Sequence, residues 1–336
     1  MANVPLKVVV EKNIPFLDIL NEVADVVRLP YGEITPEAVK DADALFVRTR
    51  NRCDAALLER SRVSFIATAT IGCDHIDMPW CAARGIEVAN APGSNAPAVA
   101  QYVFSSLVRV INRPLDNYRI GIVGVGHVGS IVERWARGIG MPVMPCDPFR
   151  QQAEGGNQWF SLAEIAREAD IITFHTPLTA DGPHPTRHLA DEAFFRSLRR
   201  APIIINSARG AVVDNAAWVE ALRAGVCGPA IVDCWEGEPA LNRELLAKAI
   251  VATPHIAGYS LEGKQRASQM ALDAFCRHFR LSALRIEADA VAATPVRIRP
   301  SDALRSYNPL VDTARLKAAP SDFERLRNEY SLRPEI

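Results

Sequence analysis

The chain reads as an α/β protein built from two doubly wound parallel sheets, and three observations carry that reading. Short apolar runs alternate with helical periodicities, no tight hairpin signal joins neighbouring runs, and the alternation begins afresh after a long helical stretch that follows Gly93. Parallel strands need crossover connections of a dozen or more residues, whereas antiparallel ones can be joined by two, so the pattern selects parallel sheets. At 336 residues the chain exceeds the ~100–200 of one domain and has room for two sheets and a small appendage.

In the first series "LKVVV", "ADVVRL", "ALFV", "SFIATAT" and "IEVAN" are strand-like and the segments between them helical. Thr35-Pro36-Glu37 supplies an N-cap, an N1 proline and a first-turn acid, and Gly85 closes "MPWCAAR" as a helix stop. Five strands with intervening helices make a flavodoxin-like unit over residues 1–93. "NAPAVAQYVFSSLVRVIN" is a long helical run leading toward Tyr118, expected to bridge two domains. The second series runs through "YRIGIVGVGHVG", "MPVMPCD", "ADIITFHTPL", "APIIINSA", "PAIVDCW" and "AIVATPHIA", with Ser161 and Glu164 as a capping box, and gives a nucleotide-binding unit over 94–255. The helical "SLEGKQRASQMALDAFCRHF" is expected to return to the first unit, completing it with 256–283. In the remaining 284–336, "VAATPVRIRPSDALRSYNPL" mixes a strand candidate with turn signals before the helix-like "PSDFERLRNEY".

Composition excludes several functions. Hydrophobic residues make up 49%, net charge is −1, and no basic run interleaved with aromatics appears, so neither nucleic acid nor an anionic membrane is expected as a partner. The seven cysteines are odd in number and never spaced as CxxC, which argues against a disulfide framework or a zinc site; no metal is expected. "MANVPLKVVVEKN" lacks a signal-peptide pattern and no stretch nears the ~20 apolar residues of a membrane span, so the expectation is a cytoplasmic protein.

Gly124-x-Gly126-x-x-Gly129 is a weak signal alone. Here it closes the apolar strand "RIGIVG" and opens an amphipathic helix, and Asp147 ends the next strand about 20 residues on, which is the dinucleotide-binding context. Gly124 permits the tight turn, Gly126 lets backbone approach a pyrophosphate, Gly129 allows close helix packing, and the N–H groups of His127 and Val128 face the phosphates. Asp147 would accept from the adenosine ribose and repel a 2′-phosphate, favouring NAD over NADP, although Arg150 three residues on softens that preference.

Arg209, Glu238 and His255 each follow a predicted strand, and parallel strands of one sheet bring such residues to one edge. Singly each has a bland reading: a surface ion pair, a solvated turn, a structural histidine. Together in a nucleotide-binding sheet a catalytic set is the better reading. In "ALFVRTRNR" an apolar strand delivers Arg48, Thr49 and Arg50 to a loop, and "SFIATATIG" does so for Thr70.

Through "GIVGVGHVG", "FHTPLT", "INSARGAVVD", "DCWEGEP" and "TPHIAGYS" the sequence resembles the D-isomer-specific 2-hydroxyacid dehydrogenases, from about Leu45 to Phe279. The resemblance implies oxidation of a 2-hydroxy acid, which needs a base for the hydroxyl proton, a hydride acceptor and a cation for the carboxylate, with His255 as acid/base, Glu238 as its orienting partner and Arg209 on the carboxylate. It also implies that Asp233 lies near the nicotinamide carboxamide and that Thr176, Ser207, Ala208 and Gly258 line the cofactor. "VRTR", "FIATATIGCDHID", "NAPGSNAPAVAQYVFSSL", "LADEAFF", "WEGEPALN" and "HIAGYSLEGK" narrow the likeness to a branch acting on a phosphorylated substrate. For that branch it implies NAD-dependent oxidation of 4-phospho-D-erythronate to 2-oxo-3-hydroxy-4-phosphobutanoate in pyridoxine and pyridoxal phosphate biosynthesis, with Thr49, Thr70 and Tyr259 on the substrate. Arg48 or Arg50 is the candidate phosphate cation. "FERLRNEY" resembles part of a C-terminal dimerisation module, here shortened, so a homodimer is expected. The alternatives are another dehydrogenase of phosphoglycerate, glycerate or glyoxylate, or a nucleotide-sensing corepressor on the same fold.

Overall fold

A computed structural model describes residues 5–287 and 293–336. The chain divides into two compact units, one running to Asn95 and resuming at Leu261, the other comprising Ala96–Ser260 and the C-terminal segment. His255–Ser260 thus stays with the second unit, and the C-terminal segment is not a separate body.

In the first unit β1 (Leu6–Glu11), β2 (Ala24–Leu29), β3 (Ala44–Val47), β4 (Phe65–Thr68) and β5 (Glu87–Ala89) form one sheet in the order β2-β1-β3-β4-β5, every pair parallel. β3 and β4 are buried along their whole length, as strands covered on both faces must be. One face packs Phe46 and Phe65 on Phe275 of the helix Leu261–Phe279, and the other buries Leu45, Val47 and Ile66 with Val39 and Leu58. Strand order reverses between β1 and β3, so the loops after these strands flank the sheet's switch point. Thr35 caps its helix, its hydroxyl accepting from Ala38 N at 3.3 Å.

In the second unit β6 (Ile120–Val123), β7 (Val143–Cys146), β8 (Ile171–Phe174), β9 (Ile203–Asn206), β10 (Ala230–Val232) and β11 (Val251–Ala252) form an all-parallel sheet ordered β11-β10-β9-β8-β6-β7. The reversal lies between β6 and β8, beside the glycine-rich turn. Beyond β7 an extended segment adds one bond, Phe160 N–H to Pro145 O at 2.8 Å. Trp135 and Phe104 pack on one face of the sheet, Trp218 and Phe195 on the other.

The helices Pro300–Ser306, Pro309–Ala318 and Phe323–Asn328 complete this unit: Ala303 and Tyr307 enter one core, Leu316 and Phe323 the other. They also close the sheet edge at β11, where an unpaired strand would expose donors and acceptors. Ala252 N–H donates to Thr313 Oγ1 at 2.9 Å, and Lys317 Nζ donates to Ala249 O at 2.6 Å. In the stretch "VAATPVRIRPSDALRSYNPL" no strand forms over residues 293–310; Val291 and Ala292 lie outside the described residues. Val296 and Ile298, two residues apart and so on one face of any strand, differ in burial, the first exposed and the second buried, and Pro295 O accepts from the Trp135 indole at 2.8 Å rather than from a neighbouring strand.

Candidate active site

The glycine-rich turn has the shape a dinucleotide needs. Gly124 adopts φ +87°, closed to most L-residues, and a Cβ there would meet the His175 carbonyl carbon and the Thr176 methyl at 2.9 Å. A Cβ on Gly129 would lie 2.1 Å from Gly124 O, so only glycine lets the helix His127–Ile139 start this close to β6. At Gly126 the space a Cβ would enter is open, leaving room for a pyrophosphate above the helix N-terminus and the first-turn N–H groups of His127 and Val128.

Two buried hydroxyls at this edge, Thr176 Oγ1 and Ser207 Oγ, have no hydrogen-bond partner among the described residues; buried polar atoms are rarely left so unless a ligand meets them. Asp147 accepts from Val125 N at 2.9 Å and Arg150 N at 3.1 Å, which leaves lone pairs on both oxygens for a ribose. Arg150 is committed elsewhere: to Glu154 at 2.7 Å, to Val125 O at 2.9 Å, and stacked on Trp159. Beneath the turn, burial drives the His175 pKa down to about 3, so the imidazole is neutral and shares a 2.9 Å hydrogen bond with Thr173.

The loops after β9 and β10 are stitched together. Asn206 Nδ2 donates to Arg209 O at 3.0 Å and Gly210 O at 3.2 Å, and Gly210 lies so close to Trp235 that a Cβ would fall 2.0 Å from Trp235 O. Ala208 N–H donates to Asn206 Oδ1 at 3.2 Å, and Arg209, partly exposed, turns one guanidinium nitrogen to Ala208 O at 2.9 Å. Asn206 and Gly210 had no signal of their own in the sequence; their role appears only when the two loops meet.

From the loop after β11, His255 Nδ1 bonds Glu238 Oε1 at 2.6 Å, and each side chain keeps about a quarter of its surface exposed (25% and 24%). Glu238 Oε2 accepts from Trp235 N at 3.2 Å. Burial alone would weaken proton binding at His255, but Cys234 and Glu238 outweigh it and hold its pKa well above the histidine range. Glu238 is the partner that matters, because burial raises the Cys234 thiol pKa and keeps it uncharged at neutral pH. Burial would raise the Glu238 pKa too, yet His255 and Arg327 bring it below the usual value. A carboxylate fixing one imidazole nitrogen leaves the other to exchange a proton with a ligand.

His255 sits at φ +57°, which costs a non-glycine residue ~1–3 kcal/mol unless its surroundings enforce it. They do, from both sides. Asp233, fully buried, accepts from Thr253 Oγ1 (2.6 Å), Ile256 N (2.8 Å) and Ala257 N (3.0 Å). Arg333, also buried, donates to the carbonyls of Ile256 (3.0 Å), Tyr259 (3.0 Å), Ala98 (3.1 Å) and Ala257, and to Gln101 Oε1 (3.1 Å). The loop carrying Gly258 is therefore held by its N–H groups on one side and its carbonyls on the other. Tyr259 packs edge-on against Tyr330, ring centroids 6.2 Å apart.

Arg48, Thr49 and Thr70 belong to the first unit. Arg48 lies 3.9 Å from buried Glu11 at the switch point, Thr49 is in the turn after β3, and Thr70 Oγ1 is 2.5 Å from Thr68 Oγ1. Arg50 stacks over Tyr31 at 4.9 Å. Arg327 and Arg333 were missed as site residues, because nothing local in "FERLRNEYSLRPEI" separates them from surface arginines. Among the described residues no cluster able to hold a metal ion occurs, no helix is long and apolar enough to cross a membrane, and all seven cysteines are unpaired.

Comparison with known proteins agrees with this geometry. Residues 98–257 match the family model described as the D-isomer specific 2-hydroxyacid dehydrogenase NAD binding domain. The chain is 47% identical to the erythronate-4-phosphate dehydrogenase of Bacteroides thetaiotaomicron over 98% of this chain and 97% of that one. It is 41% identical to the enzyme of that name from Porphyromonas gingivalis, over 97% and 92%. Among solved structures, NAD-bound 3-phosphoglycerate dehydrogenase of Entamoeba histolytica superposes with a TM-score of 0.70 at 26% identity, covering 85% of this chain and 99% of that one. The D-lactate dehydrogenase of Aquifex aeolicus shares the fold, with a TM-score of 0.69 at 23% identity over 82% and 96%. The chain belongs to the NAD-dependent D-isomer-specific 2-hydroxyacid dehydrogenases and, within them, to the erythronate-4-phosphate dehydrogenase family.

Proposed function

We propose that this enzyme oxidises 4-phospho-D-erythronate at C2 to 2-oxo-3-hydroxy-4-phosphobutanoate, a step of pyridoxine biosynthesis. The observation that carries the proposal is the 2.6 Å His255–Glu238 pair, in a nucleotide-binding sheet whose neighbouring loop bears Arg209. NAD, when bound, supplies the acceptor for the C2 hydride. His255 takes the hydroxyl proton through Nε2 while Glu238 fixes Nδ1 and balances the imidazolium that forms. Arg209 binds the substrate carboxylate and steadies the developing carbonyl oxygen. The Asp147 carboxylate, together with Arg150 already neutralised by Glu154, supports NAD over NADP.

For the terminal phosphate we propose the switch-point edge of the first unit's sheet, with Arg48 as cation and Thr49 and Thr70 as hydroxyl donors; Tyr259 is a further substrate ligand. Arg50 is the less suited cation because its guanidinium covers Tyr31. Exposed Val296, Leu304, Leu310 and Val311 in the C-terminal segment support a homodimer, and a cytoplasmic location is part of the same proposal.

The test is NADH absorbance on mixing the protein with NAD and 4-phospho-D-erythronate, D-erythronate, D-glycerate or 3-phosphoglycerate. The phosphorylated four-carbon acid should be preferred at least ~100-fold over its unphosphorylated form, since a site built for an anion discriminates strongly against its absence. Preference for a three-carbon acid would reassign the substrate, and silence with every acid by a folded, NAD-binding protein would point to a corepressor.

A further inference from the structure

The helix Phe323–Asn328 carries a cation into the catalytic pair. Arg327 is largely buried (16% of its side chain exposed), and its Nη1 lies 3.8 Å from Glu238 Oε1, the oxygen that bonds His255 Nδ1 at 2.6 Å. The two cations are therefore no farther apart than those two distances laid end to end. Arg327 is also hydrogen-bonded to Tyr259, and its Nε is buried with no partner among the described residues. Packing does not require a guanidinium here, because Phe323 and Leu326 of the same helix already face the core. Burying an arginine costs several kcal/mol unless its charge is answered.

We infer that Arg327 is a positioning residue that sets the pH window of His255 by sharing the carboxylate of Glu238. Its fixed charge keeps Glu238 ionised and ready to orient the imidazole. It also competes for the same oxygen, so His255 binds its proton less tightly than Glu238 alone would dictate. The neutral base thereby becomes reachable at a lower pH.

The other groups around the pair are Asp233, Cys234, Tyr259, Tyr330 and Arg333. Asp233 is saturated by Thr253 and two backbone N–H groups, and Arg333 by backbone carbonyls. Burial raises the pKa of Cys234 and of Tyr330, so neither titrates near neutrality. Tyr259 is hydrogen-bonded to Arg327 itself. The coupled pair that Arg327 can bias is Glu238–His255.

The inference rests on His255 as the acid/base of the proposed reaction, but its test does not need turnover. The imidazole of His255 is titrated by NMR in the full-length, histidine-labelled protein, with assignment by His255→Asn, in wild type, Arg327→Gln and Arg327→Lys. The Gln variant should titrate about one pH unit higher, an ordinary displacement for losing one nearby charge, and the Lys variant close to wild type. With 4-phospho-D-erythronate the rising limb of kcat/KM should move by the same amount. An Arg327→Gln protein that folds and titrates like wild type overturns the inference. If the amide does not fold, Arg327→Met, of similar length, takes its place with the same expectation; if neither folds, the arginine is structural and the inference fails. A wild type that titrates as described yet turns over no hydroxy acid would sink the proposed reaction and leave the electrostatic role standing.

Discussion

Replacing Glu238 by Gln isolates the charge that governs His255. The amide keeps the shape of the side chain and can still accept from Nδ1–H, but the counter-charge 2.6 Å from the imidazole is gone. An opposite charge at this range holds a histidine pKa up against burial, so its removal lets the His255 pKa fall. The sign follows from the chemistry. With His255 as the proposed base, oxidation needs its neutral form, so kcat/KM rises with pH through the pKa of the free enzyme, and in Glu238→Gln that limb moves toward acid. The plateau falls by ~10²-fold, because the imidazolium formed as hydride leaves is no longer balanced. The assay is NADH formation from pH 5 to 10 under subsaturating substrate, with NAD affinity as a control. A limb at the wild-type position would refute the reasoning, and so would an alkaline shift, which belongs to loss of Arg327 instead.

His255→Asn should lower turnover at least ~10³-fold while leaving NAD affinity within a few-fold, measured by quenching of tryptophan fluorescence and by single-turnover NADH formation. Gly129→Ala forces a Cβ to 2.1 Å from Gly124 O, so the helix must retreat from β6; chemical denaturation should show a loss of ~2–4 kcal/mol, and isothermal titration NAD binding weakened at least tenfold. Arg333→Met strips the carbonyls of Ile256, Ala257 and Tyr259 of their donor, and thermal unfolding together with hydrogen exchange at residues 255–260 should report ~3–5 kcal/mol of destabilisation centred on that loop.

Much of the architecture was legible because local rules and tertiary structure agree. All eleven strands fall where apolar runs stood, Thr35 and Ser161 cap the helices their spacing announced, and Gly124, Gly126 and Gly129 occupy positions where a side chain would collide or would fill the space a ligand needs. His255 and Glu238 could be paired in advance, since parallel strands deliver their following loops to one edge. Arg327 and Arg333 could not: each meets the site only through packing between segments more than 70 residues apart, and an arginine beside a leucine looks the same whether it faces water or a carboxylate. In the described part of "VAATPVRIRPSDALRSYNPL" the strand candidate fails because apolar residues do not say whether a neighbouring backbone is there to pair with. Asp233 shows a third case, a carboxylate that the resemblance put beside the cofactor and whose visible work is to anchor a loop.

The clamp formed by Arg333 also sets an order of events during synthesis. The glycine-rich turn and β6 to β9 leave the ribosome more than a hundred residues before Arg333, so a nascent chain can assemble its dinucleotide cradle while the segment bearing His255 still lacks half of its restraints. A chain clipped shortly before residue 333 should keep the fold around its glycine-rich turn while the loop bearing His255 loses the donors to its carbonyls.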